Sequence, residues 1–484
     1  MKPRFDHPLF VGIDIATHAV RVVCCTDDGT IQARAETHLP APERPQPGHA
    51  QQDASTWWPA TARVLRALTA SLGGARRHIQ AVTVTATSGT AVAVDRSRRP
   101  LGPALMYDDA RAQAETAVAA YTSHARFERL GITLSAAFGP GRIARLVADA
   151  GPDLFRICHT ADLLTWYLAG TPTPVDWSHP LRNGYDVLAG EWPHETFEAL
   201  GVDQRFLPEV QAPCTPVGAV SEPAAEATGL PAGCIITLGM TDGCTAQLAA
   251  GGGVVDHYVS VLGTTLVIKG TSRQLLRDPS GAVYSHRHPQ NLWMPGGASN
   301  TGGEALASWP RDRLAALDEQ ARIHGPATVL SYPLARHGER FPFAAEQAHG
   351  FMLGRPTSET DAYRAMLEGV AFCERLAYER LTELGASIHP TLRTAGGGNR
   401  SQTWLRIRAT VLGRTLQRIP RAESSVGAAI LAAVGSAHPD LQTASKAMVG
   451  TGQTVEPLPE EREALEDRYR QFLAAVREKG WLTK

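Results

Sequence analysis

The chain has 484 residues, enough for two large lobes or about three domains that each bury a core. With 47 basic and 48 acidic residues its formal net charge is −1, so the protein as a whole would not attract nucleic acid or an anionic membrane electrostatically. We therefore expect small-molecule partners, no nucleic acid and no membrane, and a monomer or homodimer.

The cysteine and lysine content limits the cellular compartment and the type of phosphate-binding site that we expect. The seven cysteines are scattered without a Cys-x-x-Cys pair, which is typical of a reduced, cytoplasmic protein. No apolar run reaches the roughly 18 residues of a membrane span, and Asp6 and Asp14 bracket the first such run. None of the five lysines precedes Ser or Thr, which excludes a Walker A phosphate loop.

The first half of the sequence mixes strands and helices. Short apolar runs separated by tight turns predict a β-meander, followed by an amphipathic helix and two further strands. The predicted strands cover residues 9–14, 19–25, 30–37, 79–85 and 91–95, and the predicted helix covers residues 54–72. On that helix the inner face would carry Trp57, Ala60, Val64, Leu65 and Leu68. This mixture predicts an α/β fold.

The second half of the sequence contains a weak internal repeat of the first. Residues 257–270 repeat the opening arrangement of apolar strand, small turn and apolar strand. We therefore predict two lobes, residues 7–246 and 247–484, whose hairpin tips face each other across a cleft. The later predicted elements are helices over 362–384, 404–412 and 426–434, a strand leading to 394–401, and a charged amphipathic helix from Pro457, expected to be a solvated cap.

The first hairpin tip carries a carboxylate and a hydroxyl. Asp14 ends the first predicted strand, and Thr17 lies in the turn that follows. Turn N–H groups and a hydroxyl can bind a phosphate oxygen, while a carboxylate can bind a divalent cation. Taken alone, Asp14 could be an ordinary surface-turn residue. The second tip, Gly263-Thr264-Thr265, repeats the pattern, and two such tips on opposed lobes would clamp a phosphate.

Asp242 lies between Gly239 and Gly243, just before a helix of small residues. Glycine on both sides lets a bulky substrate approach the backbone, and a helix N-terminus favours anions. A carboxylate there could accept the proton of a hydroxyl that attacks phosphorus. The alternative is an ordinary helix-capping aspartate.

A glycine-rich segment, Gly396-Gly397-Gly398-Asn399, follows a predicted strand. Three glycines permit close approach of a ribose or phosphate, Asn399 offers a donor and an acceptor, and Trp404 offers a stacking face. The segment is not Gly-x-Gly-x-x-Gly, which disfavours a dinucleotide-binding fold. A structural strand-to-helix turn with a core Trp is the alternative.

Together GIDIAT, TSGT, MYDDAR, GMTDG, LGTT and AGGGNRSQTW resemble, in order and spacing, the FGGY carbohydrate kinases from about residue 9 to residue 440. The resemblance implies an α/β fold of two actin-like, ribonuclease-H-like domains flanking a cleft for ATP and sugar. Residues 7–246 would bind the sugar and residues 247–484 would bind ATP.

The resemblance also implies residue roles. Asp14 and Thr17 match the first phosphate motif, Asp242 the catalytic base, Gly263 to Thr265 the second phosphate turn, and Gly396 to Asn399 the adenosine motif. Asp14 and Asp242 would hold Mg²⁺ as well as the sugar. The first phosphate motif is atypical, because Ala16 stands for the usual Gly and His18 for the usual Ser or Thr.

Departures from the family patterns bear on the substrate. Xylulokinases usually carry Gln-x-His-Gly where this chain has Ala86-Thr87-Ser88-Gly89, and MYDDAR, NGYD and RFPF resemble the D-ribulose kinase branch. Ser88 and Asp108 thus become candidate sugar contacts, with D-ribulose the expected substrate. D-xylulose, L-ribulose and ribitol remain open. An actin-like ATPase switch and a catalytically silent sugar sensor are the alternatives from other classes.

Overall fold

The computed structural model describes residues 7–132, 139–420 and 422–482, which form two compact units. Unit 1 takes in the chain up to Ala249 together with His286–Asn291 and Glu423–Val449. Unit 2 comprises Ala250–Ser285, Leu292–Ala422 and the chain from Gly450 onward.

Unit 1 contains a six-stranded mixed sheet, a four-stranded sheet and a two-stranded sheet. The strands are β1 (Leu9–Ile15), β2 (Ala19–Thr26), β3 (Ile31–His38), β4 (Gln51–Gln52), β5 (Ile79–Ala86), β6 (Ala91–Val94), β7 (Ala104–Leu105), β8 (Arg156–His159), β9 (Val175–Asp176), β10 (Val210–Gln211), β11 (Pro216–Ala219) and β12 (Ile235–Thr237). The helices up to Ala249 are α1 (Trp57–Leu72), α2 (Gln113–Leu130), α3 (Pro140–Ala150), α4 (Thr160–Ala169), α5 (His194–Ala199), α6 (Glu222–Thr228) and α7 (Asp242–Ala249). The large sheet has the order β11-β12-β5-β1-β2-β3.

The burial pattern of each strand follows its position in this sheet. All seven residues of β1, next to the centre, are buried, whereas the edge strand β3 alternates half-buried and exposed residues. The five apolar residues predicted for the inner face of α1 are all buried. In β1 a Cβ at Gly12 would lie 1.9 Å from the carbonyl oxygen of Ser425, so glycine permits close backbone packing there.

The second half of the chain contributes a seven-stranded sheet and a two-stranded sheet. The strands are β13 (Tyr258–Leu262), β14 (Leu266–Gly270), β15 (Tyr284–His288), β16 (Leu292–Ala298), β17 (Leu330–Tyr332), β18 (Phe351–Leu353), β19 (Leu392–Ala395), β20 (Leu416–Arg418) and β21 (Thr454–Val455). The helices are α8 (Leu314–His324), α9 (Glu359–Glu383), α10 (Gln402–Leu412), α11 (Ser424–Ala433), α12 (Leu441–Met448) and α13 (Arg462–Glu478).

The two large sheets share a strand order, which confirms the internal repeat predicted from the sequence. In each sheet the first strand of the unit pairs antiparallel on one side, where a third strand continues the antiparallel pairing, and parallel on the other side, where a further parallel strand follows. The orders are β3-β2-β1-β5-β12 in one sheet, with β1 as the first strand, and β16-β14-β13-β19-β20 in the other, with β13 as the first strand. Short turns suffice for the antiparallel pairs, whereas the parallel pairs need longer crossovers. Helix α1 lies in the β3-to-β5 crossover and α9 in the crossover that leads to β19.

Two expectations about the second half need correction. The division into residues 7–246 and 247–484 did not anticipate that two later segments pack in unit 1. Within unit 1, Arg287 donates to the Val187 carbonyl at 2.8 Å, and α11 lies against β1 at Gly12. The terminal helix α13 is amphipathic as predicted, but it is more than a solvated cap, because Leu465, Tyr469 and Phe472 join the main core of unit 2.

Among the described residues, no helix combines the length and the apolar character needed to cross a lipid bilayer.

Candidate active site

Asp14 lies at the carboxyl end of β1. The parallel pairing of β1 with β5 places Asp14 beside Thr85, and the next residue of β5, Ala86, forms a bridge with Thr241. Strand ends along this edge of the sheet therefore bring Asp14 near Thr241, which directly precedes Asp242.

The Asp14 carboxyl group is in an unusual electrostatic environment. It is 4 % exposed, its Oδ2 lies 3.6 Å from an Arg21 guanidinium nitrogen, and its Oδ1 has no hydrogen-bond partner among the described residues. Burial and then repulsion from Asp242 raise the pKa of Asp14 to about 7, against the opposing effect of Arg21. Asp242 is thus close enough to influence the ionisation of Asp14.

Asp242 is the first residue of α7, and hydroxyl groups hold its backbone. Thr85 Oγ1 donates to the Met240 carbonyl at 2.5 Å. The Asp242 carbonyl accepts from Thr245 Oγ1 and from Ser424 Oγ, each at 3.1 Å. Side chains from β5, α7 and α11 therefore define the path of the turn that presents Asp242.

The glycines on either side of Asp242 act differently. A Cβ at Gly239 would lie 2.0 Å from the Val84 carbonyl oxygen, so glycine is needed for close strand packing. Gly243 N donates to Asp242 Oδ1 at 2.6 Å. This bond is to the amide of the next residue, whereas the capping alternative predicts a bond to an amide two or three residues on. Asp242 is only partly buried.

A buried polar chain approaches the same turn from β9. Asp176 Oδ2 pairs with His179 Nδ1, and Asp176 Oδ1 accepts from Ser178 Oγ at 2.5 Å. Ser178 Oγ in turn accepts from Thr241 N at 2.9 Å. The chain thus ends on the residue before Asp242.

Ser88 lies in the turn between β5 and β6, and its hydroxyl is buried without a hydrogen-bond partner among the described residues. Arg142 supports this turn, donating to the Gly89 carbonyl at 3.2 Å and to Asn183 Oδ1 at 3.3 Å. Burial lowers the pKa of Arg142 to about 10. An enclosed hydroxyl on a held turn fits a contact to a substrate hydroxyl.

Asp108, predicted from the sequence as a sugar contact, is paired with Arg44. Its Oδ2 accepts from Arg44 at 2.6 Å in a pair that is partly open to solvent, so binding a sugar would require this ion pair to open. The neighbouring Asp109 is fully buried and holds Ala50 N at 2.7 Å and the Arg111 guanidinium. The conspicuous acidic pair of MYDDAR is therefore engaged within unit 1.

The two predicted phosphate tips are ordered hairpin turns. Thr17 lies between β1 and β2, and its carbonyl accepts from Gln52 Nε2 at 3.0 Å. Gly263 to Thr265 join β13 to β14, with Gly263 N donating to the Thr265 carbonyl at 3.0 Å. Gly263 and Thr264 are exposed, and Thr17 and Thr265 are partly buried. Each tip therefore keeps polar groups accessible to a ligand.

The glycine-rich loop follows β19. Gly396 has φ +96°, and a Cβ there would lie 2.5 Å from the Leu262 carbonyl oxygen, whereas a Cβ at Gly397 would meet nothing within 4 Å. Asn399 is 3 % exposed, and its Nδ2 has no hydrogen-bond partner among the described residues. The loop thus combines an open backbone position at Gly397 with a buried amide donor.

A buried ion pair between Arg408 and Glu374 supports this glycine-rich loop. Arg408 and Glu374 are both fully buried and form two hydrogen bonds, at 2.6 and 2.8 Å. Arg408 also donates to Asn399 Oδ1 at 3.1 Å and to Thr394 Oγ1 at 2.7 Å. The guanidinium therefore fixes the orientation of the Asn399 amide.

The prediction that Trp404 offers a stacking face is wrong. Trp404 is 3 % exposed within the main core of unit 2, and its indole N–H donates to the Leu367 carbonyl at 3.0 Å. Apolar packing at this position of α10 outweighs exposure of the ring, so the core alternative holds.

The carboxyl groups of Asp14 and Asp242 have the chemistry of divalent-cation ligands. Within residues 7–132, 139–420 and 422–482, no group of three or more His, Cys, Asp or Glu side chains is arranged to hold a metal ion. Asp14 Oδ1 is buried without a hydrogen-bond partner among the described residues, and burial and the charge of Asp242 raise the pKa of Asp14 to about 7 despite the nearby Arg21. Carboxylate oxygens are the ligands Mg²⁺ takes, completed by water and phosphate.

Sequence reasoning missed the residues that support the site. Arg142, Arg408 and the Asp176–His179 pair were not singled out. A Ser and a His placed two and three residues after a buried strand-end Asp were the available signal. Thr241, which donates to Ser178, lies more than 60 residues further along the chain.

The comparisons define the class of protein. The model of the N-terminal domain of the FGGY family of carbohydrate kinases matches residues 9–249, and that of the C-terminal domain matches residues 258–436. The chain belongs to the FGGY family of carbohydrate kinases. The two-domain α/β fold and the phosphotransferase class expected from the sequence are thereby confirmed.

Individual relatives share the whole architecture at low identity. The xylulose kinase of Escherichia coli (strain K12) is 28% identical over 451 residues, 88% of this chain and 89% of that protein. The erythritol kinase of Brucella abortus is 26% identical over 515 residues, 97% of this chain and 95% of that protein. The crystal structure of xylulose kinase from Rhodospirillum rubrum has a TM-score of 0.86 and 26% identity, covering 97% of this chain and 98% of that one. These names do not single out the D-ribulose branch.

Proposed function

We propose that this protein is an ATP-dependent kinase that phosphorylates the terminal hydroxyl of a ketopentose, with D-ribulose yielding D-ribulose 5-phosphate. The observation that carries the proposal is the pair of carboxylates at one edge of the sheet of unit 1. Asp14 is buried with its pKa raised to about 7, and Asp242 is presented on a turn held by Thr85, Thr245 and Ser424.

Asp242 is assigned as the general base. Its carboxylate takes the proton of the substrate hydroxyl while that oxygen forms a bond to the γ-phosphorus and the bridging bond to ADP breaks. Such a base must be held at a fixed position, and the hydroxyl contacts to the Met240 and Asp242 carbonyls support this. Mg²⁺ held by Asp14 and Asp242 would neutralise charge on the phosphate oxygens.

We assign sugar binding to unit 1 and ATP binding to unit 2. The assignment to unit 1 is supported by the carboxylates and by the enclosed Ser88 hydroxyl. The assignment to unit 2 is supported by the loop from Gly396 to Asn399, where Gly397 leaves the backbone open and Asn399 keeps a buried amide donor. Thr17 and the tip from Gly263 to Thr265 are assigned to the phosphates.

D-ribulose is the substrate favoured by Ser88, because a small hydroxyl replaces the larger side chains of the xylulokinase pattern and its Oγ has no protein partner among the described residues. D-xylulose is the second candidate, favoured by the names of the relatives from Escherichia coli and Rhodospirillum rubrum. The two ketopentoses differ in configuration at one carbon, so a hydrogen bond to one hydroxyl can separate them.

The test is an ADP-release assay with Mg²⁺-ATP over a panel of ketopentoses, aldopentoses and polyols, with the phosphorylated position identified by NMR. We expect turnover with D-ribulose or D-xylulose and loss of turnover in Asp242→Asn. ATP hydrolysis that no sugar stimulates would favour the ATPase switch, and sugar binding without turnover would favour the sensor; either result overturns the proposal.

A further inference from the structure

Thr241 needs an acceptor for its backbone N–H from outside its own helix. It directly precedes α7, where the first N–H groups of a helix have no intrahelical partner. Thr241 is 2 % exposed, so water is not available to it either. The acceptor is Ser178 Oγ, at 2.9 Å.

The Ser178 hydroxyl is itself held in the orientation this bond requires. Its proton is directed to Asp176 Oδ1 at 2.5 Å, and Ser178 N donates to the same oxygen at 2.8 Å. This leaves the lone pairs of Ser178 Oγ for Thr241. Asp176 can serve as acceptor only while its other oxygen is also satisfied inside the protein.

His179 provides that second partner. Its Nδ1 pairs with Asp176 Oδ2, and both residues are at most 2 % exposed. Burial opposes the charged form of the imidazole, but the attraction and hydrogen bond of Asp176 outweigh it, so the pKa of His179 is raised. A bond between an imidazolium and a carboxylate is stronger than one between neutral groups.

We propose that His179, Asp176 and Ser178 are positioning residues for Asp242, forming a relay that fixes the Thr241 backbone and through it the Asp242 carboxylate. The inference rests on the proposed function in that Asp242 is taken as the base. His179 Nδ1 pairs with Asp176, and the role proposed for His179 is exerted through that bond.

The relay predicts a particular kinetic signature. Removing the Ser178 hydroxyl leaves the Thr241 N–H buried without an acceptor, and the turn shifts to find one. A displacement of this kind misplaces the proton acceptor but leaves Ser88, the sugar contact proposed on the turn between β5 and β6, in place. We expect kcat to fall about 10- to 100-fold while KM for the sugar changes less than about 3-fold.

Three variants separate the relay from general destabilisation. His179→Leu removes the donor to Asp176. His179→Asn keeps a donor, because the Asn side-chain amide nitrogen is also at the δ position and can take the place of His Nδ1. Ser178→Ala removes the hydroxyl oxygen that accepts from the Thr241 N–H. The matched control is Ser123→Ala, which removes a buried hydroxyl bonded at 2.8 Å to Thr196, elsewhere in unit 1.

The expected pattern is a low kcat for His179→Leu and Ser178→Ala, and a kcat within about 3-fold of wild type for His179→Asn and Ser123→Ala. The proposal is overturned if His179→Asn falls as far as His179→Leu, or if Ser123→Ala loses as much kcat as Ser178→Ala. If His179→Leu does not fold, the kcat of Ser178→Ala relative to that of Ser123→Ala is sufficient to test the relay.

Hydrogen exchange tests the same relay without reference to catalysis. In peptides that contain residue 241, amide exchange of the intact protein should become faster by about 10-fold or more in Ser178→Ala and stay unchanged in Ser123→Ala. Unchanged exchange in Ser178→Ala would overturn the relay. Absence of sugar-dependent turnover in the wild type would instead overturn the proposed function, and the exchange result would still stand.

Discussion

Asp14 and Asp242 share one edge of the sheet of unit 1, and the charge of Asp242 contributes to a pKa of about 7 for Asp14. Two carboxylates near each other in a partly desolvated place are costly for the folded protein unless a proton or a cation accompanies them. The pair therefore has consequences for stability as well as for chemistry.

The first prediction concerns the pH dependence of stability in Mg²⁺-free buffer. The pKa of Asp14 is raised from 3.8 in the unfolded chain to about 7 in the folded protein, so the folded state binds more protons between these values. Stability should therefore increase as the pH falls from 8 toward 4. Asp14→Asn removes this pH dependence and should raise the melting temperature at pH 8. The free energy of unfolding that the Asp14 ionisation costs between pH 4 and pH 8 is on the order of 4 kcal/mol.

Asp361 supplies a control of opposite sign. Burial opposes its ionisation, but hydrogen bonds from Thr328 and Thr357 outweigh burial and lower its pKa to about 2. Its contribution is present above pH 3.8 and is lost below, so Asp361→Asn should melt lower than wild type at pH 8. If Asp14→Asn also melts lower at pH 8, the two carboxylates do not repel each other as described.

The second prediction concerns the base. Asp242→Asn keeps the shape of the side chain and the helix-terminal hydrogen bond to Gly243, but it cannot accept the substrate proton. We expect kcat to fall roughly 10²- to 10⁴-fold in a variant that still folds, as a cooperative melting transition would show. Steady-state kinetics with the best sugar of the panel check this, and a variant that keeps more than half of the wild-type kcat would exclude Asp242 as the base.

The third prediction concerns the tip between β13 and β14. Thr265→Val removes a hydroxyl and keeps the shape, and the turn is closed by backbone bonds that the change leaves intact. ATP-dependent turnover should fall, while sugar affinity measured by calorimetry without nucleotide stays within about 1 kcal/mol of wild type. Equal losses of turnover and sugar affinity would place Thr265 in the sugar site.

The fourth prediction concerns substrate choice. A buried hydroxyl left without a partner penalises the wrong epimer, so Ser88 should favour D-ribulose over D-xylulose by at least about 10-fold in kcat/KM. Ser88→Ala should lower kcat/KM for D-ribulose and leave KM for ATP nearly unchanged. A wild-type preference for D-xylulose would disprove the branch assignment while leaving the kinase proposal intact.

Local patterns predicted most of the elements around the site. Apolar runs interrupted by small turns gave the hairpins on either side of Thr17 and of Gly263 to Thr265, because hairpin formation depends on neighbouring residues alone. Helical spacing predicted α1 and its buried face for the same reason. Gly239 was predicted to let a substrate approach the backbone, whereas in the structure it allows close packing against the Val84 carbonyl.

Pairings between distant segments could not be predicted in this way. Trp404 carries no local sign of whether its ring faces solvent or core, and only packing against Leu367 in α9 decides it. The bond from Ser178 to Thr241 and the contact of Ser424 with Asp242 join residues far apart in the chain. Such contacts depend on which surfaces meet after the sheets form.

The sequence by itself determined the family, the α/β class, the repeated hairpins and the position of Asp242 at the start of a helix, since these depend on motifs and on short-range periodicity. Only the tertiary structure decided that α11 returns to pack on β1, that Trp404 is buried, and that His179 is linked to Thr241. The physical reason is that burial and hydrogen bonding are satisfied globally, and the partner of a buried group is set by the fold as a whole.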